Sequence, residues 1–359
     1  MKKIRVLVVD DTAVMRKLVS EVVSRDPDME TAGVAANGRI ALQMITQVNP
    51  DAVTMDMEMP EMGGIETVRA IRRTHPRLPI IMLSALTQKG AESTLDALDA
   101  GANDYVAKKA TSIGIADSLQ YLSEELLPRI KHYFKPSLAA LPSAQRSAGA
   151  PIVAKKRFAS NRSNRIDIVA IGTSTGGPNA LARVFEQLRK PLPVPMVIVQ
   201  HMPPVFTKTL AARLDRCSGM TVHEGEEGQV VQPGHAYMAP GGRHMETRRQ
   251  GANVVIHLHD GPQENSCRPA ADVLFRSVAH CYGAGTLAVV MTGMGKDGYL
   301  GCSQICSSGG SAIAQDEASS VVWGMPGTVV QHGLAEQTLS LDLIAPTIAR
   351  KVDVSRLRN

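Results

Sequence analysis

Short, almost wholly apolar runs recur along this chain, and each gives way within three residues to a polar or charged one. Ile4-Arg-Val-Leu-Val-Val9, Ala52-Val-Thr-Met55, Ile80-Ile-Met-Leu83 and Tyr105-Val106 fall in the N-terminal part. Asp167-Ile-Val-Ala-Ile171, Met196-Val-Ile-Val199 and Leu287-Ala-Val-Val-Met291 follow in the C-terminal part. Runs that lack period-two alternation read as strands buried on both faces, which implies parallel sheets covered by helices. Helical spacing fills the intervals, as at Val14, Leu18, Val19 and Val22. The expected class is therefore α/β, with two doubly wound parallel-sheet domains in which chemistry collects at the carboxyl ends of strands.

The charge distribution separates the two domains. The net charge of the 359 residues is +5, yet residues 131–165 hold 8 basic and no acidic side chains, so the remainder is slightly acidic or neutral. That basic stretch is rich in Ser, Ala and Pro and reads as a connector. The expected organisation is a first domain at 1–125, a linker at 126–165 and a second domain at 166–351. With aromatics at 3% there is little to stack on bases, and the neutral second domain shows no helix-turn-helix pattern, so nucleic-acid binding is not expected. No apolar run approaches the ~18 residues of a membrane span. The start, Met1-Lys-Lys-Ile-Arg-Val, leads straight into a strand rather than a signal peptide, and the five cysteines form no C-x-x-C pair. A reducing, cytoplasmic setting is expected, with Cys302 and Cys306 as packed thiols on a helix.

Gly172-Thr173-Ser174-Thr175-Gly176, directly behind Ile168–Ile171, is a G-x-S-x-G step from strand to helix. Such a turn exposes a serine hydroxyl and aims the following backbone N–H groups at what it attacks. A phosphate-cradling turn is the competing reading, since Gly172, Gly176 and Gly177 serve that equally well. A nucleophilic serine needs a base and a carboxylate to orient that base. His201, at the end of Met196–Gln200, and Asp297, in Thr292-Gly-Met-Gly-Lys-Asp297, are the candidates. His257, His259 and Asp260 form a rival set, and an N-cap is the plainer reading of Asp297. In the first domain the strand ends hold Asp10, Asp11, Asp56, Ser84 and Lys108. Three converging carboxylates repel one another unless a divalent cation fills the gap, and oxygen ligands favour Mg²⁺.

These residues carry two resemblances. Val9-Asp10-Asp11, Asp56 within Met55-Asp-Met-Glu-Met-Pro-Glu-Met-Gly-Gly64, Ser84-Ala85 and Lys108 resemble the receiver domain of two-component response regulators, a flavodoxin-like fold. The resemblance implies that Asp56 accepts a phosphoryl group from a histidine kinase. It further implies that Asp10, Asp11, Asp56 and the Glu58 backbone carbonyl hold Mg²⁺, that Ser84 and Lys108 bind phosphoryl oxygens, and that Tyr105 is the aromatic switch. Lys109 stands where the family usually has proline. Gly172–Pro178, Gln200-His-Met-Pro-Pro204, Pro233–Gly241, Arg268-Pro269, Leu274-Phe275, Thr292–Gly298 and Gly324-Met-Pro326 resemble the Rossmann-like catalytic domain of chemotaxis protein-glutamate methylesterases. This implies Ser174 as nucleophile, His201 as base and Asp297 as its orienting carboxylate. Backbone N–H groups of Thr175 and Met294 would form the oxyanion hole, and no cofactor is implied there. The implied substrates are γ-methyl esters, and in some members glutamine amides, on methyl-accepting chemotaxis receptors. The implied form is a monomer activated by phosphorylation. A phospho-switch scaffold without turnover and a DNA-acting response regulator are the alternatives.

Overall fold

The computed structural model describes residues 2–108, 114–134 and 165–357; Lys109 and residues 135–164 of the expected linker lie outside the described residues. The chain divides into two compact units, Met1–Ala154 and Lys155–Asn359.

The first unit alternates strand and helix: β1 (Ile4–Val9), α1 (Ala13–Arg25), β2 (Met29–Ala35), α2 (Gly38–Val48), β3 (Ala52–Asp56), α3 (Gly64–Thr74), β4 (Ile80–Ala85), α4 (Gln88–Asp99), β5 (Asp104–Lys108) and α5 (Ile115–His132). The five strands form one parallel sheet in the order β2-β1-β3-β4-β5. Strand order reverses between β1 and β3, which opens a crevice at their carboxyl ends. Val9 pairs with Met55 and Ala85 with Lys108, so Asp10, Asp56, Ser84 and Lys108 share one edge of the sheet. Helix α5 continues past residue 125. Its Leu126 and Ile130 are fully buried with Val19, Val22 and Ile81. Residues 126–132 thus belong to the folded unit, and the expected linker begins later than its composition suggested: the helix keeps apolar spacing beyond the point where basic residues start to accumulate.

The second unit contains β6 (Ile168–Thr173), α6 (Gly177–Gln187), β7 (Met196–Gln200), α7 (Phe206–Cys217), β8 (Thr221–Glu224), β9 (His235–Met238), β10 (His244–Gln250), β11 (Asn253–His259), α8 (Ala271–Tyr282), β12 (Thr286–Val290), α9 (Tyr299–Ser307), β13 (Ser311–Gln315), α10 (Met325–Gln331), β14 (Ala335–Leu339) and α11 (Leu341–Leu357). Seven strands make a parallel sheet ordered β14-β13-β12-β6-β7-β9-β8, and β10 and β11 form a separate antiparallel ladder. The order reverses at β6, which lies between β12 and β7. Val290 pairs with Gly172 and Thr173 with Gln200, so these three strands end together. Met245 and Ile256 of the ladder pack with Leu274, Phe275 and Val278 of α8, extending the core beneath the sheet.

Leu126→Ala tests the extent of the first unit. Cavity formation at a fully buried leucine is expected to cost ~2–5 kcal/mol in denaturant unfolding of the full chain; a connector residue would cost less than ~0.5 kcal/mol.

Candidate active site

Ser174 is the first residue beyond β6. Its N–H donates to Thr292 O (3.0 Å), and its carbonyl accepts from Gly177 N (2.8 Å) and Gln200 Nε2 (2.9 Å). Gln200 is itself buried, with Oε1 2.6 Å from Thr173 Oγ1. Two glycines make the turn possible. Gly176 has φ +76°, a conformation costly for residues with a Cβ. A Cβ on Gly293 would stand 2.9 Å from the Ser174 Cβ and 2.4 Å from Met325 Sδ, so only glycine lets the Thr292 loop pass this close to the serine. Pro178 in the first turn of α6 suits a helix start, and that N-terminus favours negative charge near Ser174. Among the described residues, no protein acceptor takes the N–H of Thr175 or Met294.

His201 follows β7, and its N–H donates to Thr173 O at 3.2 Å, which fixes it beside the serine turn. Its Nε2 meets Asp297 Oδ2 at 2.7 Å. Its Nδ1 faces Cys267 Sγ at 3.4 Å, and no hydrogen bond joins Ser174 Oγ to the ring among the described residues. Asp297 is 2% exposed. Its Oδ2 also accepts from Ala271 N (2.6 Å), and its Oδ1 from Asp272 N, Gly298 N and Asn265 Nδ2, each at 3.0 Å. Burial by itself disfavours the carboxylate, but His201 and the N–H groups opening α8 outweigh burial and hold Asp297 below the usual range. Burial likewise disfavours the imidazolium, yet the bonds to Asp297 and Cys267 reverse that and raise His201.

The rival set lies elsewhere. His257 and His259 stack on one face of the β10–β11 ladder, 5.8 Å between ring centres. His257 Nδ1 pairs with Glu227 (3.0 Å), and Asp260 pairs with Arg243 (3.1 Å). Cys302 is fully buried on α9 and Cys306 half-buried, both as free thiols. Sequence reasoning missed Asn265, Cys267, Asp272 and the supporting role of Gln200. A polar residue inside an apolar strand signalled only Gln200; the rest reach the site from a turn and a helix start.

In the first unit, carboxylate oxygens of Asp10, Asp11 and Asp56 lie within 4.8 Å of one another. Lys108 Nζ bridges Asp10 (2.8 Å) and Asp56 (2.7 Å). An oxygen-only set with one ammonium against three carboxylates suits a hard divalent cation. Burial pushes the Asp56 carboxyl up to about 6, with Asp10 adding to the rise and Lys108 opposing it. The Glu58 side chain pairs with Lys89 (3.1 Å), apart from its backbone carbonyl. Ser84 is buried, with Oγ 3.1 Å from Gly90 O and 2.6 Å from Thr94 Oγ1. Tyr105 is 8% exposed, and burial raises its hydroxyl well above the usual range.

Residues 169–348 match the family model for CheB methylesterase, and residues 6–120 match that for the response regulator receiver domain. A protein-glutamate methylesterase/protein-glutamine glutaminase of Trichodesmium erythraeum is 45% identical over 98% of this chain and 100% of its own length. One of the same name from a Nocardioides species is 49% identical, covering 98% of this chain and 96% of its own. The crystal structure of the Thermotoga maritima CheB methylesterase catalytic domain is 42% identical, covers 53% of this chain and 98% of that domain, and superposes with a TM-score of 0.51. With both units matched and relatives aligned end to end, the chain belongs to the CheB protein-glutamate methylesterase family of chemotaxis response regulators.

Proposed function

We propose that the chain hydrolyses γ-methyl esters of glutamate on chemoreceptors, with Ser174 as nucleophile, and that it deamidates receptor glutamine at the same site. The observation that carries this reading is the 2.7 Å bond between His201 Nε2 and Asp297 Oδ2, placed at the strand ends that present Ser174. With Nε2 held by Asp297, Nδ1, which faces Cys267 Sγ at 3.4 Å, is the nitrogen that would turn to the serine when substrate binds. Triad hydrogen bonds are often long without substrate and tighten when it binds. As Ser174 Oγ attacks the ester carbonyl, Nδ1 takes its proton and the Asp297 carboxylate stabilises the imidazolium. The N–H groups of Thr175 and Met294 stabilise the oxyanion. His201 then protonates the departing methoxide, and water, activated by the same nitrogen, releases glutamate and frees Ser174. With a glutamine substrate, ammonia leaves in place of methanol.

The receiver reading assigns Asp56 as the phosphoryl acceptor from a histidine kinase. Asp10, Asp11, Asp56 and the Glu58 carbonyl would hold Mg²⁺, which neutralises charge on the transferring phosphoryl group when bound. Lys108 already sits on Asp56 and would remain on the phosphoryl oxygens. Ser84 would have to leave Gly90 and Thr94 to join it, vacating space toward which Tyr105 turns. Phosphorylation is expected to raise the hydrolase rate, in a monomeric cytoplasmic protein. No helix among the described residues is long and apolar enough to cross a membrane.

Three outcomes test this. Ser174→Ala is expected to abolish methanol release from methyl-esterified receptor without changing the thermal unfolding profile. Asp297→Asn should lower kcat by about 10⁴-fold with little change in KM, as when a triad base loses its tautomer control; a mild effect there, with His257→Ala crippling, would favour the ladder histidines. The third concerns cation binding. Between its ordinary value of 3.8 and about 6, folded Asp56 keeps a proton that the unfolded chain has lost, so its contribution to stability falls as pH rises through that window. Mg²⁺ needs the ionised carboxylate. Its affinity by calorimetric titration should therefore weaken as pH drops below about 6, by up to about tenfold per pH unit. An affinity independent of pH would remove Asp56 from the ligand set.

A further inference from the structure

Glu264, Asn265, Ser266 and Cys267 form a two-residue reversal. Glu264 N donates to Cys267 O (3.1 Å), Cys267 N donates to Glu264 O (2.9 Å), and both central residues have positive φ, +52° and +61°. Positive φ at both centres is what a type I′ turn requires, and asparagine tolerates that conformation better than most residues. The turn is moored at its first residue, where the Glu264 carboxylate takes two bonds from Arg276 of α8 (2.7 and 2.6 Å). At its last residue, Cys267 touches His201. Between them, the Asn265 side chain enters the site.

An amide NH₂ has two donors, and both are used. Nδ2 lies 3.0 Å from Asp297 Oδ1 and 3.0 Å from Asp272 Oδ2. Asp272 is 1% exposed, and its other oxygen accepts Gly301 N from α9 (2.7 Å). Two buried carboxylates therefore stand side by side, joined by one neutral donor. Without that donor they would repel, and the cheapest relief would be for one to rotate or take up a proton. Burial, together with the Asp297 charge, already raises the Asp272 carboxyl.

We propose that Asn265 is the positioning residue of this site: its amide locks the Asp297 carboxylate in the orientation that receives His201, using Asp272 as the second anchor. The proposal rests on the reading of Ser174, His201 and Asp297 as the catalytic triad. It assigns the turn a purpose beyond connecting β11 to α8. Asn265 does not touch the reacting atoms; it acts through Asp297.

The test is methanol release from methyl-esterified receptor by the full-length chain carrying Asn265→Gly, Asn265→Ala or Asn265→Asp, with Ser174→Ala alongside. Glycine accepts positive φ without penalty, so a purely conformational role predicts that Asn265→Gly keeps its activity. The clamp predicts that kcat falls about 10- to 100-fold with KM unchanged, the loss of a hydrogen bond to a buried charge. Asn265→Asp keeps size and turn preference but sets a third carboxylate against two, and should be slower still. The pH profile gives a separate signature. Facing the carboxylate pair are His201, Arg276 with Glu264, Cys267 and Cys302; with these unchanged, losing the amide should move the acidic limb of kcat to higher pH. A structural role would lower the rate without moving the limb. Asn265→Gly within about threefold of wild type, or Asn265→Asp at full rate, overturns the clamp while an inactive Ser174→Ala leaves the triad standing. A Ser174→Ala variant that still releases methanol overturns the triad and the clamp with it.

Discussion

The Asp297 carboxylate, 2% exposed, is the group on which the catalytic unit turns. Five donors reach it: a ring nitrogen of His201, the backbone N–H groups of Ala271, Asp272 and Gly298, and the Asn265 amide. An isolated buried carboxylate is too costly to keep ionised, whereas a hydrogen bond to a charged group returns ~1.5–3 kcal/mol. These donors come from the end of β7, the starts of α8 and α9 and the turn before α8. Elements far apart in the chain are thereby drawn to one point because each supplies part of the compensation. Ser174 enters from another side, tied to Thr292 through its backbone. The orientation of the His201 ring follows from how well one negative charge is solvated by protein.

The parallel sheets explain why such a point exists. In both units the strand order reverses, and the reversal leaves the carboxyl ends of central strands uncovered. The first unit places Asp10 and Asp56 on either side of its reversal; the second places Ser174 between the ends of β7 and β12. The central strands β3, β6, β7 and β12 are buried along their whole length, so charged groups stand only where these strands stop. The same topology thus gathers the carboxylates and Lys108 at one edge in the first unit, and Ser174 and His201 at one edge in the second.

This arrangement decides what was legible in the sequence. Apolar runs ending near Asp10, Asp56, Ser174 and His201 revealed both sheets and the edge at which these residues gather, because period and termination are local properties. Asn265 and Cys267 were not legible in that way. They sit on no strand, and their partners lie 32 and 66 residues away in sequence; nothing local marks a side chain as aimed at Asp297 or His201. His257 and His259, the rival set, illustrate the complementary case. Alternation correctly placed them on one face of a strand, but that strand belongs to an antiparallel ladder outside the parallel sheet. The late end of α5 was hidden by composition, since basic residues gather while the helix is still burying Leu126 and Ile130.

Asp56 and Asp297 show how one residue type is set to opposite ionisation tendencies by its donors. Both are nearly inaccessible, at 6% and 2%. Asp56 receives one backbone N–H, from Met57, and the Lys108 ammonium, while Asp10 adds a like charge; burial prevails and the carboxyl is raised to about 6. Asp297 receives three backbone N–H groups, an amide and an imidazole, and burial loses. A group that must take on a cation or a phosphoryl group gains from being under-solvated, because the incoming charge or bond then relieves a standing cost. A group that must remain an anion through a catalytic cycle needs the reverse, a shell complete before substrate arrives. The difference lies in how many N–H groups a strand end or helix start turns toward the carboxylate, and burial alone does not decide it.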